Sequence, residues 1–172
     1  MNLILEAPAP AAPGKTFRLF IGDLASAQDP AALEAAGITH IVNCCAASCG
    51  TTPVQWTPFP ELFTYACVHT RDGFGAHSNE LDLPGAAEQD PRGQWPAALL
   101  VLEQARAAGG AALVHCAWGI NRSSTTAIIF LVRAGLAADW DAALALAKGA
   151  RPVVDPHPEY KRWALAFLAA GR

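Results

Sequence analysis

The sequence predicts an α/β layered domain, and three observations lead to this fold class. Short apolar runs typical of strands alternate along the chain with longer segments typical of helices. Several helical segments begin at a capping residue and end just before a glycine. The 172 residues are 52% hydrophobic and 16% charged, which is the composition of a compact domain with a substantial core.

The first part of the chain is predicted to hold an arm, strands and one helix. Residues 1–15, which include the stretch APAPAAPG, are interpreted as a Pro/Ala-rich arm ahead of a single domain at 16–172. FRLFIG predicts the first strand. QDPAALEAAG predicts a helix with Asp29 as N-cap, Pro30 as its first residue and Gly37 just past its end. ITHIVNCC and FTYACVH predict two further strands.

The second part begins with a long connection. Residues 71–93 are rich in Gly, Pro and Asp, and loops of this length usually have a function. Beyond it, WPAALLVLEQARAAGG predicts a helix, AALVH a strand and TTAIIFLVRAG a core helix that is apolar nearly all round. DWDAALALAKG predicts a helix capped by Asp139 and Gly149, and HPEYKRWALAFLAAG predicts the last one.

Charge and hydropathy narrow the classes of partner. The formal net charge is −3 and no block of basic residues occurs, which argues against a nucleic-acid surface. The start lacks the pattern of a signal peptide, and no run reaches membrane-spanning length. We therefore expect a cytoplasmic protein that does not bind a membrane, with its five cysteines mostly as thiols.

The stretch LVHCAWGINRSS places a tight turn between a strand and a helix. The first amides of such a helix are unsatisfied and carry partial positive charge. The loop can add its own N–H groups, and glycine lets the backbone turn closely around a ligand. We therefore expect a phosphate-binding loop, whose residues are Ala117, Trp118, Gly119, Ile120, Asn121 and Arg122.

Cys116 and Arg122 give this loop its chemistry. The Arg122 guanidinium can hold two phosphate oxygens, and its charge should favour a thiolate at Cys116. A thiolate beneath a bound phosphate is placed for in-line attack on phosphorus, with amides and arginine in the role a metal would otherwise have. A lone cysteine is usually a small core residue and a lone arginine a surface charge. The two residues together at this spacing indicate a catalytic phosphate-binding loop far more specifically than either residue alone.

These residues resemble a known family. HCAWGINRSS matches the HCxxGxxR[ST] signature of cysteine-dependent protein tyrosine phosphatases, and the similarity to the dual-specificity branch runs from about Phe17 to Leu168. The resemblance implies a central, mostly parallel sheet of about five strands flanked by helices on both faces. It also implies a metal-independent enzyme without a cofactor. Its substrates would be phosphorylated proteins, with phosphotyrosine and also phosphoserine or phosphothreonine as targets.

The resemblance further implies roles for four residues around the loop. Cys116 would be the nucleophile that becomes a phosphocysteine, and Arg122 would bind the phosphate. Ser123 would hydrogen-bond the sulfur and ease its departure. His115 would support the loop backbone and would not transfer protons.

The general acid remains open among three aspartates. In the family this residue lies on the loop after the third strand, which here points to Asp72 in VHTRDGF. The segment between that aspartate and the cysteine is longer than usual in the family. Asp82 is closer to the expected spacing and is the second candidate, and Asp90 is the third.

Other residues keep alternatives open. Some relatives hold a second cysteine that forms a disulfide with the nucleophile under oxidation, and Cys45 is the candidate here, with plain burial the favoured explanation. The residues Cys45, Cys49, Cys67 and His69 match no standard zinc spacing, so we expect no metal.

Three alternative functions remain. One is a catalytically weak or dead phosphoprotein-binding module on the same fold. Another is an RNA 5′-phosphatase, since such relatives carry asparagine at the position of Asn121. The third is a sulfur-transfer enzyme of the rhodanese type, whose loop also sets a cysteine in an anion cradle.

Overall fold

The computed structural model describes residues 1–46, 53–70 and 90–171. The strands within these ranges are β1 (Asn2–Pro8), β2 (Thr16–Gly22), β3 (Ile38–Asn43), β4 (Thr64–Cys67) and β5 (Ala111–His115). The helices are α1 (Leu24–Ala27), α2 (Pro30–Ala35), α3 (Pro53–Trp56), α4 (Trp95–Ala108), α5 (Arg122–Arg133), α6 (Trp140–Ala150) and α7 (Pro158–Ala170). A 3₁₀ turn at Pro91–Gly93 precedes α4.

The strands form one mostly parallel sheet in the order β1-β2-β5-β3-β4. β1 pairs antiparallel with β2, whereas the other neighbours are parallel. All five residues of the central strand β5 are buried, as expected for a strand covered on both faces. The sheet of about five strands predicted from the family resemblance is therefore confirmed.

Helices cover both faces of this sheet. On one face the apolar side chains of α4, α5, α6 and α7 pack with Val42, Ala112 and Val114 in the larger core cluster. On the other face Ala27 and Leu33, from α1 and α2, pack with Leu113 in a smaller cluster. Because successive strand residues point to opposite faces, the short run AALVH supplies both clusters.

The N-terminal segment differs from its prediction. Residues 1–15 are predicted to be an arm ahead of the domain, but Asn2–Pro8 pairs with Thr16–Gly22 along nearly its whole length. Ile4 and Ala7 are buried against the domain. The prediction is wrong for this part because pairing across a hairpin outweighs the Pro/Ala composition of the turn.

Local capping signals position several helices as predicted. Asp29 accepts a hydrogen bond from the Ala32 N–H (3.0 Å) at the start of α2. Asp139 likewise accepts from the Ala142 N–H (2.9 Å) at the start of α6. Gly149, predicted to end α6, lies inside that helix. The short helices α1 and α3 are not predicted from the sequence.

The pairing register sets the place of the loop that follows β5. His115, the last residue of β5, lies opposite Gly22 of β2 on one side and Asn43 of β3 on the other. The carboxyl ends of three parallel strands therefore meet at one edge of the sheet. Ligands of α/β proteins bind outside this edge, and residues 116–121 lie there between β5 and α5.

Candidate active site

The carbonyl groups of the loop after β5 are held from outside. The Ala117 carbonyl accepts from the Leu24 N–H at 3.2 Å, and the Ile120 carbonyl accepts from the Asp155 N–H at 3.0 Å. Between them, the Arg151 guanidinium donates to two further carbonyls of the loop. The N–H of a trans peptide points away from its C=O, so outward carbonyls turn the loop amides inward.

Gly119 allows the tightest part of this turn. Its φ is +67°, in the left-handed region that favours glycine. A Cβ at this position would lie 2.6 Å from the Gly22 carbonyl oxygen and 2.8 Å from the Arg151 Nε. Both the backbone conformation and the close contact therefore require glycine here.

The sulfur of Cys116 lies inside the loop. It accepts a hydrogen bond from the Gly119 N–H at 3.2 Å and another from the Ser123 hydroxyl at 3.2 Å. Burial by itself would raise the pKa of this thiol, but the positive charge of Arg122 and the hydrogen bonds to the sulfur outweigh burial. The pKa of Cys116 therefore lies below its ordinary value, which favours the thiolate.

We expect Ser123→Ala to raise the pKa of the Cys116 thiol, because the variant loses a hydroxyl that stabilises the anion. The rate of Cys116 alkylation by iodoacetamide, followed against pH, should have its midpoint at higher pH than in the wild type. Ser124→Ala is the matched control and should leave the midpoint unchanged, because the Ser124 hydroxyl donates to the Ile120 and Asn121 carbonyls instead of the sulfur. A Ser123→Ala midpoint equal to that of wild type would contradict this reading of the site.

Arg122 is the first residue of α5, and it is buried. Its Nη1 donates to the Thr70 carbonyl at 3.2 Å. Its charge lowers the pKa of Cys116, which lies six positions earlier on the same loop. The structure thus brings Cys116, Arg122 and Ser123 together, as the motif predicts.

His115 is buried at the end of β5 and is neutral at physiological pH. Burial is the main reason that its pKa falls to about 4. An imidazole with so low a pKa is a poor proton carrier near neutrality, in keeping with the supporting role that the resemblance implies.

The Asn121 side chain binds the start of α7. Its side-chain oxygen accepts from the His157 N–H at 2.9 Å, at the start of α7. Its carbonyl accepts hydrogen bonds from Ser124 and Thr125. Asn121 therefore joins the loop to α5 and α7, a contact that explains the residue without a nucleic-acid ligand.

Trp118 lies at the rim of the loop, with 51% of its surface exposed. Its carbonyl is held by Arg151 at 2.9 Å, which fixes the backbone below the indole. An exposed aromatic ring at this position can stack on the aromatic ring of a substrate.

Of the three aspartates considered for the general acid, the structure describes one. Asp72 and Asp82 lie outside the described residues. Asp90 caps the 3₁₀ turn by accepting from the Arg92 N–H (3.0 Å) and Nε (2.7 Å). The hydrogen bond with Arg92 is the main cause that lowers the pKa of Asp90. A carboxyl held as an anion in this way is poorly suited to donate a proton.

Cys44 and Cys45 are both buried, as the favoured explanation for Cys45 predicts, and a disulfide between Cys45 and Cys116 stays a prediction. Burial is the main cause that raises the pKa of Cys44 to about 12, and the negative charge of the Cys116 thiolate also raises it. The Cys44 sulfur also lies 3.4 Å from the Thr126 hydroxyl. Cys45 is buried as well, with its N–H on the Asn43 side chain at 2.9 Å. Cys49 lies outside the described residues.

Two features are absent from the part of the chain that the structure describes. No group of three or more metal-ligating side chains occurs there. None of its helices combines the length and apolar character needed to cross a membrane.

Sequence reasoning missed three residues that build the site: Asp23, Thr70 and Arg151. Arg151 and Asp23 form an ion pair at 3.0 Å beside the loop. In the sequence, Arg151 is marked only by its place within the stretch from about Phe17 to Leu168 that resembles the dual-specificity branch. That similarity marks the position but does not indicate a contact with the loop.

Comparison with known proteins shows the family. The family model described as the catalytic domain of dual specificity phosphatases matches residues 19–169. The chain is similar to dual specificity protein phosphatase 22-A of Danio rerio, with 26% identity over 139 residues that cover 81% of this chain and 56% of that protein. It is also similar to the MAP kinase phosphatase with leucine-rich repeats protein 3 of Dictyostelium discoideum, with 30% identity over 98% of this chain and 17% of that protein.

The crystal structure of human DUSP28 has the same fold. Its TM-score is 0.70 at 22% identity, and the match covers 99% of this chain and 96% of that one. The chain spans about half the length, or less, of the curated relatives named above. The residues matched by the family model include the whole loop from Cys116 to Arg122, so the chain belongs to the family of dual specificity phosphatase catalytic domains.

Proposed function

We propose that the chain is a metal-independent protein phosphatase that hydrolyses phosphotyrosine and also phosphoserine or phosphothreonine monoesters. The observation that carries this proposal is the Cys116 sulfur, which has a lowered pKa and lies within a loop whose carbonyls point outward. Inward amides and the Arg122 guanidinium form a site for a tetrahedral oxyanion directly over a nucleophile.

The reaction proceeds in two steps. The Cys116 thiolate attacks phosphorus, the ester P–O bond breaks, and the leaving oxygen takes a proton from a general acid. The deprotonated general acid then takes a proton from water, which attacks the phosphocysteine. The S–P bond breaks, the Cys116 thiolate is restored, and inorganic phosphate leaves. Throughout, loop amides and Arg122 stabilise the charge on the equatorial oxygens. In the second step the Ser123 hydroxyl, 3.2 Å from the sulfur, stabilises the departing thiolate.

Asp72 is the general acid in this proposal. Support comes from Thr70, two residues earlier, whose carbonyl accepts a hydrogen bond from Arg122 at 3.2 Å. The described chain that leads to Asp72 therefore runs beside the phosphate-binding arginine. Asp90 is disfavoured because Arg92 holds its carboxylate.

The loop composition supports protein substrates. Residues 117–121 contain no basic side chain, so Arg122 is the one basic residue of the loop. Highly phosphorylated ligands need several basic residues. The exposed Trp118 gives the rim an aromatic surface suited to a phosphotyrosine ring.

The test is hydrolysis of an aryl phosphate in the presence of a chelator, followed by a panel of substrates. Phosphotyrosine and phosphothreonine peptides should be hydrolysed. Preference for 5′-triphosphorylated RNA or a phosphoinositide would redirect the proposal to a non-protein phosphatase. Tight peptide binding without turnover would indicate a binding module, and thiosulfate turnover without phosphatase activity would indicate sulfur transfer.

We expect Asp72→Asn to lower kcat/KM by about 10²-fold for a substrate with a poor leaving group, because the leaving oxygen then departs unprotonated. The loss should shrink for an aryl phosphate whose leaving group is a strong acid. Asp90→Asn is the matched control and should retain near wild-type rates. If Asp72→Asn is unaffected while Asp82→Asn shows the loss, the acid is Asp82.

A further inference from the structure

We propose that Arg151, paired with Asp23, is a positioning residue that holds the phosphate-binding loop in its oxyanion-binding conformation. Arg151 donates from Nη2 to the Trp118 carbonyl at 2.9 Å and from Nε to the Gly119 carbonyl at 3.2 Å. These are two consecutive carbonyls at the centre of the loop. The inference rests on the proposed function in taking this loop as an oxyanion site.

One peptide group links Arg151 to the reactive sulfur. The Trp118 carbonyl at one end of this group accepts from Arg151, and the Gly119 N–H at the other end donates to the Cys116 sulfur at 3.2 Å. A hydrogen bond at the carbonyl polarises the peptide and strengthens its N–H as a donor. The guanidinium therefore acts on the sulfur without touching it.

The loop needs an external restraint at this point. Gly119 has a φ of +67° and no Cβ to restrict it, so its two neighbouring peptide planes can rotate more freely than those of other residues. Arg151 fixes both planes, because it binds the carbonyl that precedes Gly119 and the carbonyl of Gly119 itself.

Arg151 is itself firmly held. Its backbone N–H caps α6 by donating to the Ala147 carbonyl at 2.9 Å. Its Nη2 lies 3.0 Å from the Asp23 carboxylate, and its Nη1 donates to the Asn2 side chain at 3.0 Å. Asp23 is oriented in turn by the Ser26 N–H (2.9 Å) and hydroxyl (2.7 Å).

The burial of its arginine distinguishes this ion pair from the pair on α7. The side chains of Arg151 and Asp23 are 17% and 29% exposed, whereas Arg162, paired with Glu159 on α7, is 68% exposed. Shielded, hydrogen-bonded pairs restrict geometry more strongly than exposed ones. Only the planar guanidinium can reach two carbonyls, a carboxylate and an amide at once, which a lysine cannot do.

The test uses inorganic phosphate as the probe and does not depend on turnover. Phosphate bound in the loop shields Cys116 from iodoacetamide, so the concentration that halves the alkylation rate reports oxyanion affinity. In Arg151→Met this concentration should rise by about 10-fold, and kcat/KM should fall at least as much. Arg151→Lys should lie between wild type and Arg151→Met. Arg162→Met is the matched control and should behave as wild type.

A second variant separates positioning from folding. Asp23→Asn should weaken phosphate protection less than Arg151→Met, and the double variant should be no worse than Arg151→Met, because Asp23 acts through Arg151. Should Arg151→Met fail to fold, Arg151→Lys and Asp23→Asn, checked by thermal melting, provide the same comparison. Wild-type phosphate protection in folded Arg151 variants would overturn the inference.

The two proposals can fail separately. If the wild type turns over no substrate, yet phosphate protects Cys116 and Arg151→Met weakens that protection, the proposed function falls and the positioning role stands. If turnover occurs and Arg151→Met leaves protection unchanged, the positioning role falls alone.

Discussion

Cys116→Ser is expected to lower kcat/KM by about 10⁴-fold or more, the largest effect of any single substitution in this chain. The charge of Arg122 and the hydrogen bonds to the sulfur lower the pKa of the Cys116 thiol, which favours the thiolate. A serine hydroxyl at the same place would stay protonated near neutral pH, and its oxygen would not be a comparable nucleophile. Steady-state hydrolysis of an aryl phosphate and of a phosphotyrosine peptide measures the loss.

Cys67→Ser is the control for this experiment. Cys67 is a half-buried thiol on β4, and its substitution should leave hydrolysis nearly unchanged. Cys116→Ser should melt near the wild-type temperature and still bind a phosphotyrosine peptide, because the amides and Arg122 remain. Full activity in Cys116→Ser would refute the nucleophile assignment.

Arg122→Lys is expected to lower kcat/KM by about 10³-fold. The substitution keeps the positive charge but removes the planar fork that can hold two phosphate oxygens in parallel. It also removes the donor that binds the Thr70 carbonyl at 3.2 Å. The Arg122 guanidinium stabilises the equatorial oxygens more strongly as they gain charge in the transition state. The variant should lose this stabilisation, so kcat should fall along with kcat/KM.

Arg133→Lys is the matched control, because Arg133 closes the same helix and its guanidinium lies 5.7 Å from the Phe167 ring. A lysine can keep that contact, and the activity should be preserved. If Arg122→Lys and Arg133→Lys behave alike, the guanidinium does not form the phosphate site.

Local signals explain why most of the fold can be predicted from the sequence. The helix α2 begins at Pro30 after the N-cap Asp29, and α4 ends at Ala108 just before Gly109, whose φ is +68°, each as the residue types predict. The strand β5 is a short apolar run covered on both faces. Such signals arise between residues close together in the chain, so no knowledge of the topology is required.

The strand β1 shows where local signals fail. Ile4 and Ala7 are its buried apolar residues, and their three-residue spacing is not the strict alternation expected of a strand. The segment becomes a strand because it pairs with β2 across the turn that contains Pro10 and Pro13. The pairing partner supplies the missing stabilisation.

Some residues of the site can be predicted from local sequence, whereas others come together only through the topology. Cys116, Arg122 and Ser123 lie on one loop and the first turn of one helix, so their spacing alone brings them together. Arg151 and Asp23 are 128 positions apart, and only the topology of the sheet places them beside that loop. The sequence therefore predicts the reacting groups but not the ion pair that orients the loop backbone.

The most direct test of the central claim is to trap the covalent intermediate. Wild type and Ser123→Ala should be mixed with an aryl phosphate and quenched in acid within one turnover, and the peptides then mapped by mass spectrometry. We predict one phosphoryl group on Cys116, with more of it in Ser123→Ala, where breakdown of the phosphocysteine is slower. Turnover with no phosphoryl group on Cys116 in either protein would contradict the account.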